Sequence, residues 1–520
     1  MNFRESLIKY FNLDEKSLNE ITKPIEEIRL IDPDSIEVME SLKERIFSAI
    51  KNKEKIIVYG DYDCDGISAT SIMVKTFEKL NYPVSYYVPI RYSDGYGLNV
   101  KNVEKIAKAG FNLIITVDNG ISAHEAIDKA NELGMDVIVV DHHEIPENPV
   151  KAYGILHPIV SKISDVYGSG GYMALFLSAG LLGYFDDYLV TIAALSVISD
   201  LMELKGYNRD VVRLALRNLK EHKYKQFMCL VDNPDVISEK TFSLEIAPKI
   251  NAIGRLIEDK NINLLVKYMV SEDINEIEKL SMWIKNNNEL RKTLTKEAVE
   301  ALPNDLLNEK GIVLNLDIKE GLLGLIANRL LNERNVPSLI FTKDSMDPLL
   351  LKGSCRSKEG FNVTKAFEKL NKYVVAGGGH ALAGGITIKA KDFNEFKKDF
   401  IQLCEENPFT KGELPAIEIS LKDINFANYE ILREFSPFGM GFEEPLFLVK
   451  DLPTRSLQFI SQGKHLSTPI SINSKLLGFN IPESEVKKYL GIDLFGNFNV
   501  SCFRDKLTLE LKIADYILKN

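Results

Sequence analysis

The chain has 520 residues, of which 45% are hydrophobic, and carries a formal net charge of −10 at pH 7. At roughly 100 to 200 residues per domain this length calls for three or four domains. The acidic balance excludes a protein that coats nucleic acid through a uniformly basic surface, while leaving room for a local basic groove. The five cysteines (Cys64, Cys229, Cys355, Cys404 and Cys502) are dispersed, odd in number and never in CxxC spacing, so they are expected to be reduced thiols and neither a disulfide framework nor a zinc ribbon. No apolar run is long enough to span a bilayer, and the first residues, MNFRESLIKYFNLDEK, lack the basic start and apolar core of a secretory signal, so a cytoplasmic protein without membrane attachment is expected. There is no fixed-period repeat and no low-complexity tract.

From Lys55 to about Asp141, short β-branched runs alternate with helical patterns: KIIVYGD, ISATSIMVKTFEKL, VSYYVP, KNVEKIAKAG, NLIITVD, SAHEAIDKANELG and DVIVVD. This alternation predicts βαβ units around a parallel sheet, whose buried strands show as continuous apolar runs. Residues 170–219 are helical and apolar, with Asp200 set in ALSVISDLMEL, where an acid is costly unless paired or metal-bound. Residues 220–300 turn helical and charged and end in a long connector helix. A second α/β unit follows over 310–405, with GIVLNLD, GLLGLIANRLLNE, PSLIFT, KGSCRS and AGGGHALAGG. After ENPFTKGELP the chain breaks into short strand-like runs, which predicts a small terminal β-barrel. The expected division is 1–205, 206–300, 301–405 and 406–520.

Three of the parallel strands end in aspartate, at Asp61, Asp118 and Asp141. The carboxyl ends of strands in an open α/β sheet line the ligand crevice, so these acids should converge. VYGDYDCDG adds Asp63 and Asp65 beside Asp61, and like charges so close oppose folding unless a cation sits among them. VDHHE supplies His142 and His143 next to Asp141; adjacent histidines cannot face the same way, so one is available to a metal and the other to a substrate or a carboxylate. Asp61, Asp63, Asp65, Asp118, His142 and Asp200 together make a mostly oxygen donor set without thiolate, suited to Mn²⁺ or Mg²⁺. Six ligands exceed what one ion takes from protein while keeping a water position, which favours two ions and in-line attack of an activated water on a phosphoester. Cys64, inside the cluster, is expected to be a small buried filler.

KGSCRS offers Ser354, Arg356 and Ser357, and GGGHALAGG offers Gly378, Gly379 and His380; both are expected to be phosphate-handling loops, the alternative for the glycines being a tight helix entry. Arg255, in APKINAIGRL, is either a phosphate contact or an interlobe ion pair, and Arg91, in PIRYSDGYGL, is equally open.

DYDCDG, VDNG, DHH and SVISD, in that order, resemble the signatures of the DHH phosphoesterases. APKINAIGRL, EGLLGLIANRL, KGSCRS and GGGHALAGG are similar to the RecJ branch of that family, the single-strand-specific 5′-to-3′ exonucleases, and FSPFGMGFEEPLF with GKHLS resembles that branch's OB-fold. The resemblance covers about residues 50 to 515. It implies a parallel-sheet α/β DHH catalytic domain, a long helix, a DHH-associated α/β domain that grips the nucleotide, and an OB-fold β-barrel that binds single strands. It further implies two Mn²⁺ or Mg²⁺ ions on Asp61, Asp63, Asp65, Asp118, His142 and Asp200, with Asp118, Asp141, His142 and His143 as the catalytic group. Ser354, Arg356, Ser357 and His380 would bind the terminal nucleotide, and Arg91 is similar to a residue that receives the 5′-phosphate. The implied partner is single-stranded DNA, with a single-strand-binding protein or a helicase as candidates beside it; a monomer is expected. Cys64 replaces the family's usual alanine, and Phe442 stands where the family has asparagine. The competing readings are a DHH phosphodiesterase of short oligonucleotides or cyclic dinucleotides, a manganese pyrophosphatase, and a non-catalytic strand-binding scaffold.

Overall fold

A computed structural model describes residues 2–163, 167–302, 310–409, 415–503 and 506–520. The chain forms two compact units, one of residues 48–153 and 247–412, the other of residues 1–47, 154–246 and 413–520.

In the first unit, four parallel strands lie side by side in the order Ser85–Tyr87, Ile56–Tyr59, Leu113–Val117, Asp136–Val140. The runs Ile56–Tyr59 and Leu113–Val117 are buried along their whole length, as strands covered on both faces require. The crossovers are the predicted helices Cys64–Lys79, Val100–Lys108 and His124–Glu132. The first is buried almost all round, and Lys75, near its end, is held by Glu272 at 2.7 Å. Helices Ala247–Leu256 and Leu264–Val270 lead into the expected long helix, a 27-residue element from Ile274 to Glu300.

A second sheet in the same unit runs Ile312–Asn315, Ser338–Lys343, Leu350–Arg356, Ala383–Lys389, Val374–Gly379; its first pair is parallel and the rest antiparallel. KGSCRS and most of GGGHALAGG therefore lie on strands and not in the loops expected of them. The reason is alternation: Leu351, Gly353 and Cys355 face the core, which turns Lys352, Ser354 and Arg356 to the opposite face. The glycines sit at the sheet's margin, with Gly384 opposite Gly379 and Gly385 opposite Gly378.

In the second unit, helices Gly170–Leu182 and Asp187–Ser199 are apolar all round and buried, as read from the sequence. The terminal β-domain is a seven-stranded mixed sheet in the order Ala416–Glu418, Leu446–Pro453, Gly491–Phe503, Lys506–Lys519, Ser474–Gly478, His465–Ser471, Phe459–Ile460. Its core includes Phe447, Leu466, Ile492, Leu494, Leu509 and Leu511, all with no exposure. The amino-terminal helix Phe3–Tyr10 closes this core: Phe3 stacks on Phe447 and Phe498 at 5.6 and 6.1 Å. Phe11 stacks on Phe442 at 4.4 Å, and the Arg209 guanidinium lies 4.8 Å from the centre of the Phe442 ring. Arg209 also donates to the carbonyls of Phe435, Ser436 and Pro437. An aromatic residue at 442 is thus part of a stack that asparagine could not complete.

Candidate active site

Asp61, Asp118 and Asp141 follow three adjacent parallel strands, at 2%, 2% and 1% exposure. The sequence places them together because parallel strands in register end at one level. Asp63 caps helix Cys64–Lys79, one carboxylate oxygen accepting the amides of Asp65 and Gly66 at 2.9 and 3.0 Å. A Cβ on Gly66 would stand 2.6 Å from the backbone of Asp61, so glycine is what lets the helix start directly against the strand end. Asp118 holds a left-handed backbone, φ 61°, a strained conformation for a non-glycine residue that is fixed by its amide's bond to the Val140 carbonyl at 2.9 Å.

Asp61, Asp63 and Asp118 each offer an oxygen within 4.8 Å of the others, and Asp118, His142 and His143 form a second such group. His142 Nε2 lies 3.2 Å from Asp118 Oδ1 and 3.5 Å from Asp65 Oδ2. Burial, then the charge of Asp63, raises Asp61 well above the ordinary carboxylate range. Burial and then Asp65 raise Asp63, and burial followed by Asp65, Asp63 and Asp61 raises Asp118 strongly. Burial keeps the His142 imidazole below its usual value, in the neutral form that binds metals. Asp61 Oδ1 is buried with no hydrogen-bond partner, which costs free energy unless a cation meets it. Buried carboxylates, two of them with an oxygen that no hydrogen bond satisfies, and neutral imidazole, without sulfur, fit a hard divalent ion. Asp200 is placed at the carboxyl-terminal cap of helix Asp187–Ser199, in the second unit.

Asp141 is differently employed. Its carboxylate accepts the amides of Ile121 and His142 at 2.9 and 2.7 Å and meets His143 Nδ1 at 2.7 Å. Burial would raise it, but the bond to His143, that imidazole's charge and the two amides outweigh burial and hold it low. Asp141 thus shapes the turn and orients His143, whose Nε2 faces the Tyr96 hydroxyl at 3.0 Å. Tyr96 also donates to the Asp118 carbonyl at 3.2 Å.

Beside the cluster lies a cavity of about 660 Å³ whose walls include Tyr62 and Tyr96 from the strand-end loops, Arg255, and Ser354 and Arg356 from the second sheet. Arg91 lines it too, its guanidinium 4.9 Å from the centre of the Tyr62 ring. A Cβ on Gly254 would approach the Tyr62 carbonyl to 2.4 Å, so glycine seats Arg255 against the motif loop. Burial, then the repulsion of Arg91, Arg291 and Arg356, lowers Arg255 to about 10; such a concentration of desolvated guanidinium groups is a site for an anion. Arg91, Arg255, Ser354 and Arg356 are therefore brought together. Ser357, Gly378, Gly379 and His380 are not among the lining residues: the Ser357 hydroxyl donates to the Phe361 carbonyl at 3.0 Å, and His380 is exposed. Tyr62, Tyr96, Glu320, Asn328 and Lys352 line the cavity without having been singled out from the sequence. Of these, Lys352 carried a signal, since it shares the strand alternation of Ser354 and Arg356.

Comparison with known proteins finds three family domains along the chain. Residues 55–213 match the DHH family, N-terminal domain, residues 308–406 the DHHA1 domain and residues 416–515 the RecJ OB domain. The chain is 32% identical over 510 residues to the single-stranded-DNA-specific exonuclease RecJ of Bacillus subtilis, covering 93% of this chain and 64% of that relative. It is 28% identical over 461 residues to the protein of the same name from Haemophilus influenzae, covering 80% of this chain and 78% of that one. The crystal structure of RecJ in complex with Mn²⁺ from Thermus thermophilus shares the fold, with a TM-score of 0.83 at 22% identity over 100% of this chain and 76% of that one. No helix among the described residues is long and apolar enough to cross a membrane. The chain thus carries, in order, a DHH domain, a DHHA1 domain and a RecJ OB domain.

Proposed function

We propose that this protein is an exonuclease that hydrolyses single-stranded DNA stepwise from the 5′ end and releases 5′-mononucleotides, with two Mn²⁺ or Mg²⁺ ions as cofactors, in DNA repair and recombination. The observation that carries the reading is the shared wall: Tyr62 and Tyr96 belong both to the carboxylate cluster's loops and to the arginine-lined cavity, so a phosphate held by Arg91, Arg255 and Arg356 has its next ester beside the acids. Asp61, Asp63, Asp65, Asp118 and His142 would hold the ions, with Asp200, the aspartate of SVISD, as a further ligand. When bound, divalent ions supply charge neutralisation at the scissile phosphate and make water acidic enough to attack it. The protein's own part is positional. Arg356, braced by its bond to Ser354 Oγ at 3.0 Å, and Arg255 grip the terminal phosphate. Asp141 keeps the proton on His143 Nδ1 and leaves Nε2 toward the Tyr96 hydroxyl, a fixed route for a proton beside the reacting group. The RecJ OB domain, by stacking bases and tracking phosphates, supplies a platform for a polymer that a dinucleotide substrate would not need. A helicase or a single-strand-binding protein would deliver the strand.

The test is Asp118→Ala assayed with Mn²⁺: hydrolysis of a labelled single strand should vanish while strand binding in a gel-shift persists. Retained hydrolysis would remove the cluster from the mechanism.

A further inference from the structure

Strand Leu350–Arg356 sends Lys352, Ser354 and Arg356 to the cavity from alternate positions on one face. At about 3.4 Å per residue, the backbone at Lys352 and at Arg356 is about 14 Å apart, the reach of one nucleotide once both side chains lean inward. The two ends differ in charge. Arg356 shares its end with Arg91 and Arg255. Lys352 Nζ is held instead between two carboxylates, 3.3 Å from Glu320 Oε2 and 3.3 Å from Asp344 Oδ2. Both carboxylates are pinned in turn, Glu320 by the Ser345 amide at 3.0 Å and Asp344 by the amides of Met346 and Asp347 at 2.6 and 3.1 Å.

This end carries one more negative than positive charge, so it repels phosphate and leaves the phosphate to the arginines. An ammonium group has three protons; two are taken by the carboxylates, and the third suits a neutral acceptor in the cavity. With the phosphate at the arginine end, the acceptors a nucleotide brings to Lys352 are the neutral oxygens of its sugar and those of its base, and only the base's differ from one nucleotide to the next. Guanine alone presents N7 and O6 side by side, two neutral acceptors that can share that one proton, whereas adenine sets an amino donor beside N7 and a pyrimidine has no N7. The wall is also cleared for a ring: a Cβ on Gly385, which lines the cavity, would meet nothing nearer than the Gly353 carbonyl at 3.9 Å, so packing does not demand glycine there.

We infer that Lys352, set in place by Glu320 and Asp344, reads the base of the nucleotide whose phosphate the arginines hold, and favours guanine. This rests on the cavity being the nucleotide site proposed above. The experiment compares kcat/KM with Mn²⁺ on 5′-phosphorylated single strands that differ only in the terminal base, together with inhibition by dGMP, dAMP, dCMP and dTMP, for the unaltered protein and for Lys352→Met. The unaltered protein should cut the guanine-ended strand faster than the others by on the order of tenfold and bind dGMP tightest by a similar factor. Lys352→Met should level both rankings, and Glu320→Gln, which keeps the lysine but loosens it, should compress them. Equal rates and equal inhibition across the four bases in the unaltered protein would overturn the inference and leave the exonuclease reading standing. A guanine preference that survives Lys352→Met would overturn it as well. If no strand is cut, the exonuclease reading fails by itself, and the mononucleotide ranking, read by displacement of a fluorescent nucleotide, still decides the role of Lys352.

Discussion

Asp118→Asn should make the metal-free protein more stable while disabling it. The nearest oxygens of Asp61, Asp63 and Asp118 lie within 4.8 Å of one another. At that separation two full charges repel by about 3 kcal/mol with an effective dielectric near 20. The cluster relieves part of this by retaining protons, so the gain from removing one charge is about 2 kcal/mol. The sign follows from the titrations: Asp61, Asp63 and Asp118 are all raised above the ordinary carboxylate value of 3.8, so the folded protein holds protons that the unfolded chain has released. Stability of the metal-free protein therefore falls as pH rises above 3.8 through the folded values, and the penalty is fully present at alkaline pH. Thermal unfolding in EDTA at pH 8 should show the variant melting about 4–8 °C above the unaltered protein, with a smaller gap at pH 5. Mn²⁺ should reverse the order, because the complete cluster gains more from the ion. A variant that melts below the unaltered protein in EDTA at pH 8 would mean that the cluster is not strained by its own charge.

Gly66→Ala forces a Cβ to within 2.6 Å of the Asp61 backbone, and the displacement of the motif should cost on the order of 10²-fold in kcat, measured with Mn²⁺ on a single strand. Arg356→Lys keeps the charge but loses the planar fork, so KM for a 5′-phosphorylated strand should rise on the order of tenfold with kcat less affected, in steady-state assays on short strands. Phe442→Asn removes the stack on Phe11 at 4.4 Å and the ring beneath Arg209, and should destabilise the unit containing the OB domain by about 2 kcal/mol in thermal unfolding, with turnover of short oligonucleotides unchanged.

The acid cluster was legible because its logic is local: an apolar run ending in aspartate puts that carboxylate at the carboxyl end of a strand, and parallel neighbours do the rest. Asp118 and Asp141 needed nothing more. That Asp141 organises His143 while Asp118 faces the cluster was not legible, because both follow a strand and differ only in which amides reach them. Residue type alone selects Arg356 and Ser354 but also Ser357, one position out of phase with the strand. Strand alternation across KGSCRS selects Lys352 in place of Ser357. Tyr62 and Tyr96 escaped because an aromatic in a motif loop gives no sequence sign of whether it packs inward or lines a cavity. The stack of Phe3 and Phe11 on Phe447 and Phe442 joins residues more than 400 positions apart, and no periodicity reports that.

The proposed activity stands or falls on the degradation of one single-stranded oligonucleotide with Mn²⁺, labelled at either its 5′ or its 3′ end, with the matching duplex and a cyclic dinucleotide alongside. A 5′-to-3′ exonuclease will release labelled mononucleotide at once from the 5′-labelled strand, give a descending ladder from the 3′-labelled strand, and leave the duplex intact. Immediate mononucleotide release from the 3′ label, or cleavage of the dinucleotide alone, would be incompatible with it.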